Sequence, residues 1–179
     1  MLFFTEVYCP LARAFSLLQL DQPRKAAAEF ERVTRQWVGA GLMIWVPSIK
    51  ASHAEALMAM GDWQDALQLL DEALAQIDQM GWGERSSMSE ILRLKGCGLY
   101  RCGDTAGAET LFRWSMQVAR TQGARSFELR TANSFASLLM EQSRRAEATV
   151  LLHQVYDGFV DVGDQRDLRE ASELIRQLD

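Results

Sequence analysis

Two histidines and three cysteines are the scarce currency for acid-base, nucleophilic or metal chemistry in this chain of 179 residues. Their spacing serves none of the three. His53-Ala54-Glu55 has the His-x-Glu order that zinc-dependent base deamination uses, but no Pro-Cys-x-x-Cys follows to complete the metal shell. His153 lies on a different hairpin from His53 and has no second histidine one helical turn away, so a two-histidine metal site is not indicated. Cys9, Cys97 and Cys102 form no Cys-x-x-Cys and leave an odd count, which argues against both a disulfide framework and a zinc knuckle. Gly81-Trp82-Gly83 and Gly96-Cys97-Gly98 lack the third glycine and preceding strand of a dinucleotide fingerprint, and no Gly-Lys-Ser/Thr is present for a phosphate loop. Ser86, Ser87 and Ser89 have no histidine and aspartate placed to activate them. They read instead as a helix start, with Ser86 or Ser87 as N-cap and Glu90 as its companion acid. The expectation is a chain with no catalytic residue, no metal and no cofactor.

The charge balance narrows the partners. A net charge of −5 and a pI near 5.1 oppose binding to a phosphate backbone, which needs clustered cations that outweigh nearby acids. Arg120, Arg125, Arg130, Arg144 and Arg145 are close in sequence, but helical phase spreads them over several faces. No nucleic acid is expected. The apolar start Met1-Leu2-Phe3-Phe4 has no basic flank and meets Glu6 too soon for a signal peptide. No run reaches the ~18 uncharged apolar residues that span a bilayer. A soluble, cytoplasmic protein with no membrane partner is expected.

What positions the remaining side chains is a repeat. The turns after Leu20, Met60, Cys102 and Gln142 bring Asp21, Gly61, Gly103 and Ser143 into register at spacings of 40, 42 and 40 residues. In each unit a small residue follows five positions on (Ala26, Ala66, Ala108, Ala148), and a large apolar one four positions later (Phe30, Leu70, Phe112, Leu152). Another small residue precedes each turn by seven: Ala14, Ala54, Gly96 and Ala136. Twenty positions after each turn stand Gly41, Gly81, Gly123 and Gly163, the residue type that enters a left-handed helix terminus without steric cost.

Such a unit is two antiparallel helices around a tight turn, in which Asp62 or Asp104 can cap the second helix. Small residues let the backbones approach, and the large apolar one fills the space between hairpins, so the units must stack. The spacing predicts helices over 5–20, 23–40, 44–60, 63–80, 85–102, 105–122, 125–142 and 145–162. A ninth, over 165–178, carries Leu168, Ala171, Leu174, Ile175 and Leu178 on one face and reads as a solubilising cap. The predicted fold is an all-α, right-handed α-α superhelix of about four hairpins (1–41, 42–81, 82–123, 124–163), with 164–179 as its C-terminal capping helix.

The segment Gly61-Asp62-Trp63-Gln64-Asp65-Ala66-Leu67 resembles the turn of a tetratricopeptide repeat, and so does the twelve-residue step from Ala54 to Ala66 and from Gly96 to Ala108. The longer period, against about 34 in the ordinary repeat, is similar to that of a long-repeat subgroup. Ala119-Arg120-Thr121-Gln122-Gly123-Ala124-Arg125-Ser126-Phe127-Glu128-Leu129-Arg130, Ser143-Arg144-Arg145-Ala146-Glu147-Ala148 and Leu151-Leu152-His153-Gln154-Val155-Tyr156 carry a closer likeness. With Leu92-Arg93-Leu94-Lys95-Gly96, about residues 50–179 resemble the C-terminal repeat region of bacterial proteins that join a cyclase or a winged-helix regulatory domain to an AAA-like ATPase. In those proteins the chemistry belongs to upstream domains, so the resemblance implies a regulatory, protein-binding role and carries over no catalytic residue. It leaves open a fragment or a stand-alone repeat protein; the apolar start would suit a helix packed on a preceding repeat.

In such a solenoid the first helix of each hairpin lines a concave groove. The phase set by Ala14, Ala54, Gly96 and Ala136 points Tyr8, Leu11, Phe15 and Leu18 into it from the first unit, and Ser48, Ala51, Glu55 and Met58 from the second. Glu90, Arg93, Cys97, Tyr100 and Arg101 follow from the third, and Arg130, Asn133, Ser137 and Met140 from the fourth. A peptide or helix with an apolar segment and a carboxylate would complement this surface, the carboxylate meeting the forks of Arg93, Arg101 or Arg130. The same contacts would also suit packing against an upstream repeat, and a small ligand in the concavity is the other occupant. Trp63 and Trp114 fall at positions that pack between helices. Trp45 and Trp82, near the hairpin-to-hairpin loops with Met43-Ile44-Trp45-Val46-Pro47, form a candidate interface patch. The partners expected are thus a protein or peptide, an upstream ATPase or cyclase domain among them, and a second copy joined through the N-terminal hairpin or the Trp45 region.

Overall fold

Every element of the computed structural model is helical; it describes residues 8–79, 83–159 and 166–178, and no strand occurs among them. The helices are α1 (Cys9–Gln19), α2 (Pro23–Gly39), α3 (Val46–Met60), α4 (Trp63–Ile77), α5 (Met88–Arg101), α6 (Thr105–Gln122), α7 (Arg125–Glu141), α8 (Arg145–Tyr156) and α9 (Arg166–Leu178). Consecutive helices pack on one another, and odd-numbered helices also touch the next odd-numbered one from α3 to α9, the pattern of an all-α solenoid of stacked hairpins.

Its local causes sit where the repeat columns fall. All four turn residues adopt a positive φ: 55° at Asp21, 88° at Gly61, 93° at Gly103 and 63° at Ser143. Glycine does this freely; aspartate and serine there carry a left-handed cost of roughly 1–2 kcal/mol. Gly41 and Gly123 end their helices at φ 73° and 66°, while Gly81 and Gly163 lie outside the described residues. Of the two turn aspartates, Asp104 caps its helix by accepting from the Gly107 amide at 2.9 Å, whereas the Asp62 side chain makes no such bond.

The small and large columns form the core. Ala14, Ala54, Ala136, Ala26, Ala66, Ala108 and Ala148 are fully buried, as are Phe30, Leu70 and Leu152. A Cβ on Gly96 would lie 2.8 Å from Cε1 of Phe112, so any side chain at this crossing would force the ring to shift. Three apolar clusters follow each other along the stack, the last closed by α9 through Leu168, Ala171, Leu174, Ile175 and Leu178. A buried hydroxyl chain crosses it: Ser115 donates to the Ser89 carbonyl at 2.8 Å and lies 2.8 Å from the Thr131 hydroxyl, which turns back to Phe127.

Three expectations change. Helix α5 begins at Met88, and although Ser87 holds its N-cap position, its hydroxyl makes no capping bond, and the Glu90 carboxylate pairs with Arg93 instead of reaching back to the helix start. Helix α8 ends at Tyr156, several residues early. Trp114, predicted in the core, is 44% exposed on α6, whereas Trp63 is half-buried under the guanidinium of Arg101.

Candidate functional site

On the inner face of the odd-numbered helices lie two adjoining cavities that share Gln19, Glu55 and Arg130. One, about 390 Å³, is walled by Phe15, Leu18, Ala51, Leu94 and Phe127, with the hydroxyls of Ser48, Ser52, Ser86 and Ser87 around it. The other, about 460 Å³, is bounded by Arg93, Ser134, Arg166, Asp167 and Glu170. Gln19 ends α1 and Arg166 begins α9, so the two extremities of the solenoid meet across the second cavity. Helix α9 is thereby a wall of the groove as well as a cap.

The charged cavity is organised by a ladder of ion pairs. Arg93 forks Glu90 through Nε at 2.9 Å and Nη2 at 2.7 Å, and its Nη1 donates to Ser134 at 3.1 Å. Arg130 reaches Glu90 at 3.5 Å and donates from Nε to Asp167 of α9 at 2.8 Å. Asn133 completes the tie by donating to the Asp167 carbonyl at 2.9 Å. Burial works against charge on Glu90, yet Arg93 and Arg130 outweigh it and hold its pKa below the ordinary carboxylate value. Glu55 is the contrary case: its side chain is open to the groove, yet the surrounding walls thin its hydration and raise its pKa, Glu90 adding to the rise and Arg93, Arg130 and Arg166 only partly offsetting it at longer range. No hydrogen bond or ion pair holds its carboxylate among the described residues. Burial also raises the Cys97 thiol pKa, with Arg93 as the main opposing influence.

The sequence-derived positions divide accordingly. Phe15, Leu18, Ser48, Ala51, Glu55, Glu90, Arg93 and Arg130 line these cavities. Leu11, Tyr8, Tyr100, Arg101 and Asn133 do not. Leu11 shares the inward face of Ala14 and is buried with it. Tyr8 stands edge-on to Trp37, ring centres 5.6 Å apart. Tyr100 donates to Glu141, Arg101 covers Trp63 at 5.6 Å, and Asn133 is buried beneath α9. These residues are on the correct helices, but the turn toward the hairpin tips or core takes their side chains elsewhere. Helix α9 contributes Arg166, Asp167 and Glu170 from outside its apolar face, and nothing in a lone amphipathic helix says which neighbour its polar face meets.

The loop before α3 exposes Met43, Ile44 and Trp45, and α2 exposes Val38. Trp45 has φ 64°, an unfavoured conformation for an aromatic residue, and its ring lies 6.2 Å from Trp37 and 6.4 Å from Tyr8. Trp82, its predicted companion, lies outside the described residues. A further cavity of about 410 Å³, lined by Arg113, Phe135, Leu139, Val150 and Leu151, opens between α6 and α8. Among the described residues no cluster of His, Cys, Asp and Glu could hold a metal ion, and no helix is long and apolar enough to cross a membrane.

No protein-family model and no curated protein matches this sequence. Among solved structures the chain is similar to the nearly identical TPR-like repeats of a kinesin light chain-like protein from Podosopora anserina, with a TM-score of 0.69 and 17% identity over 96% of this chain and 84% of that one. A point variant of those repeats gives a TM-score of 0.67 at 19% identity, covering 99% of this chain and 95% of the other. At these identities the likeness is one of fold: a TPR-like helical repeat.

Proposed function

We propose that this TPR-like solenoid is a non-catalytic interaction module that receives a short segment of a partner protein in the groove between α1 and α9. The observation that carries the reading is the pair of adjoining cavities on the inner face, one apolar and one charged, a combination suited to an extended peptide whose side chains alternate in chemistry. The likeness of about residues 50–179 to repeat regions of bacterial signalling ATPases, cyclases and transcription regulators supports a regulatory role in such a protein. The partner is then a domain of the same system. The test is selection from a display library of random octapeptides on the full chain and on Ser52→Trp, which fills the apolar cavity from a partly exposed position while circular dichroism checks the helices. Enrichment on the parent that vanishes with Ser52→Trp supports the groove; equal enrichment on both contradicts it.

A second reading has its own support. Each cavity is within the volume of a small-ligand site, commonly about 300–1,000 Å³, and α9 closes one end. A sensor of a metabolite or short signalling peptide would give a saturable rise in melting temperature with a defined compound, whereas a protein docking surface would not.

A further inference from the structure

We infer that the segment received by this groove carries a basic side chain beside an apolar one, with Glu55 as its counter-charge. This rests on the peptide-groove reading above and reverses the charge that the sequence suggested for the ligand. A partner carboxylate was expected because three arginines point inward by helical phase, but two of the forks are already occupied. Arg93 spends Nε and Nη2 on Glu90 and Nη1 on Ser134; Arg130 spends Nε on Asp167 and reaches Glu90 with Nη1. The third, Arg101, lies over Trp63 outside the cavities. A ligand carboxylate would have to displace an internal pair and uncover a buried acid in exchange.

Glu55 stands differently. It borders both cavities, so a cation placed on it lies next to the apolar wall of Phe15, Leu18, Leu94 and Phe127. Neither ion pair nor hydrogen bond engages it among the described residues, and the groove wall disfavours its charge. The one lysine or arginine on α3, Lys50, is held by Glu72 of α4 at 2.7 Å. Among the described residues lining the two cavities four acids, Glu55, Glu90, Asp167 and Glu170, face three arginines, 93, 130 and 166, so this lining is short of one positive charge. Of these three arginines Arg166 has no direct partner among the described residues, and it sits on the α9 rim, away from the apolar wall.

The experiment is the octapeptide selection read for sequence. Segments enriched on the parent are expected to carry Lys or Arg within two positions of Leu, Phe or Met. A labelled peptide of that type should bind Glu55→Gln about tenfold more weakly, roughly one charge-assisted contact, and Glu55→Lys should turn the preference to Asp and Glu. Enrichment of acidic segments that Arg166→Gln abolishes, or of apolar segments without charge preference, overturns this inference and leaves the groove reading intact. Enrichment insensitive to Ser52→Trp, or none at all, overturns both.

Discussion

Replacing Arg93 by Met removes the cation that holds Glu90 without emptying the space its stem fills. Both side chains are nearly covered, 13% and 11% exposed, and the fork between them uses contacts of 2.9 and 2.7 Å. Breaking a buried pair from one side costs about 3–5 kcal/mol because the remaining charge is stranded. Here Arg130 stays within 3.5 Å of Glu90, so the loss should fall near 2–3 kcal/mol. Glu90→Gln combined with Arg93→Met strands nothing and should recover to within about 1 kcal/mol of the parent, a coupling that a double-mutant cycle in urea unfolding measures directly. The pH dependence has a definite sign. In the parent Glu90 has a lowered pKa, so its contribution is present above about pH 4.5 and is lost as pH falls through the lowered value. In Arg93→Met burial dominates and the pKa rises, so the destabilisation is greatest at neutral pH and shrinks on acidification. A single mutant that costs less than about 1 kcal/mol, or a double mutant no better than the single one, would refute the claim that this ladder holds α5, α7 and α9 together.

Ser143→Gly should raise stability by up to about 1 kcal/mol, the relief of its left-handed backbone less the added unfolded-state entropy, while Gly123→Ala should lower it by about 1 kcal/mol; denaturation midpoints give both. Gly96→Val should cost about 2–3 kcal/mol, since the new side chain drives into a Phe112 ring that is itself stacked on Phe135 at 5.7 Å and has nowhere to yield. Glu55→Gln should stabilise the unliganded chain at neutral pH, because the raised pKa marks a disfavoured charge. The gain should vanish as pH falls below about 4.5, which melting curves across pH would detect.

The architecture was legible because its determinants are local and repeated. Asp21, Gly61, Gly103 and Ser143 share one backbone conformation despite three different side chains, and the alanine and glycine columns fall where backbones meet. Trp114 shows the limit, since a repeat column locates a residue on a helix but does not say whether another hairpin covers it. The groove was half legible for a related reason. Helical phase places Phe15, Ala51, Glu55 and Arg93 on the inner face. The i,i+3 spacing of Glu90 and Arg93 already permits their pairing, but it does not reveal that α9 returns to bring Asp167 against Arg130. Pairings between elements far apart in sequence decide which charges are left for a ligand, and the spacing of one helix does not encode them.

The central claim, a peptide in the inner groove, is met most directly by amide chemical-shift mapping of the full chain titrated with an enriched octapeptide. The account predicts shifts at Phe15, Ser52, Glu55, Leu94 and Phe127, with the outer cavity around Arg113, Val150 and Gln154 unchanged. Shifts confined to that outer cavity, or to Met43, Ile44 and Trp45, with the inner face silent, would contradict it.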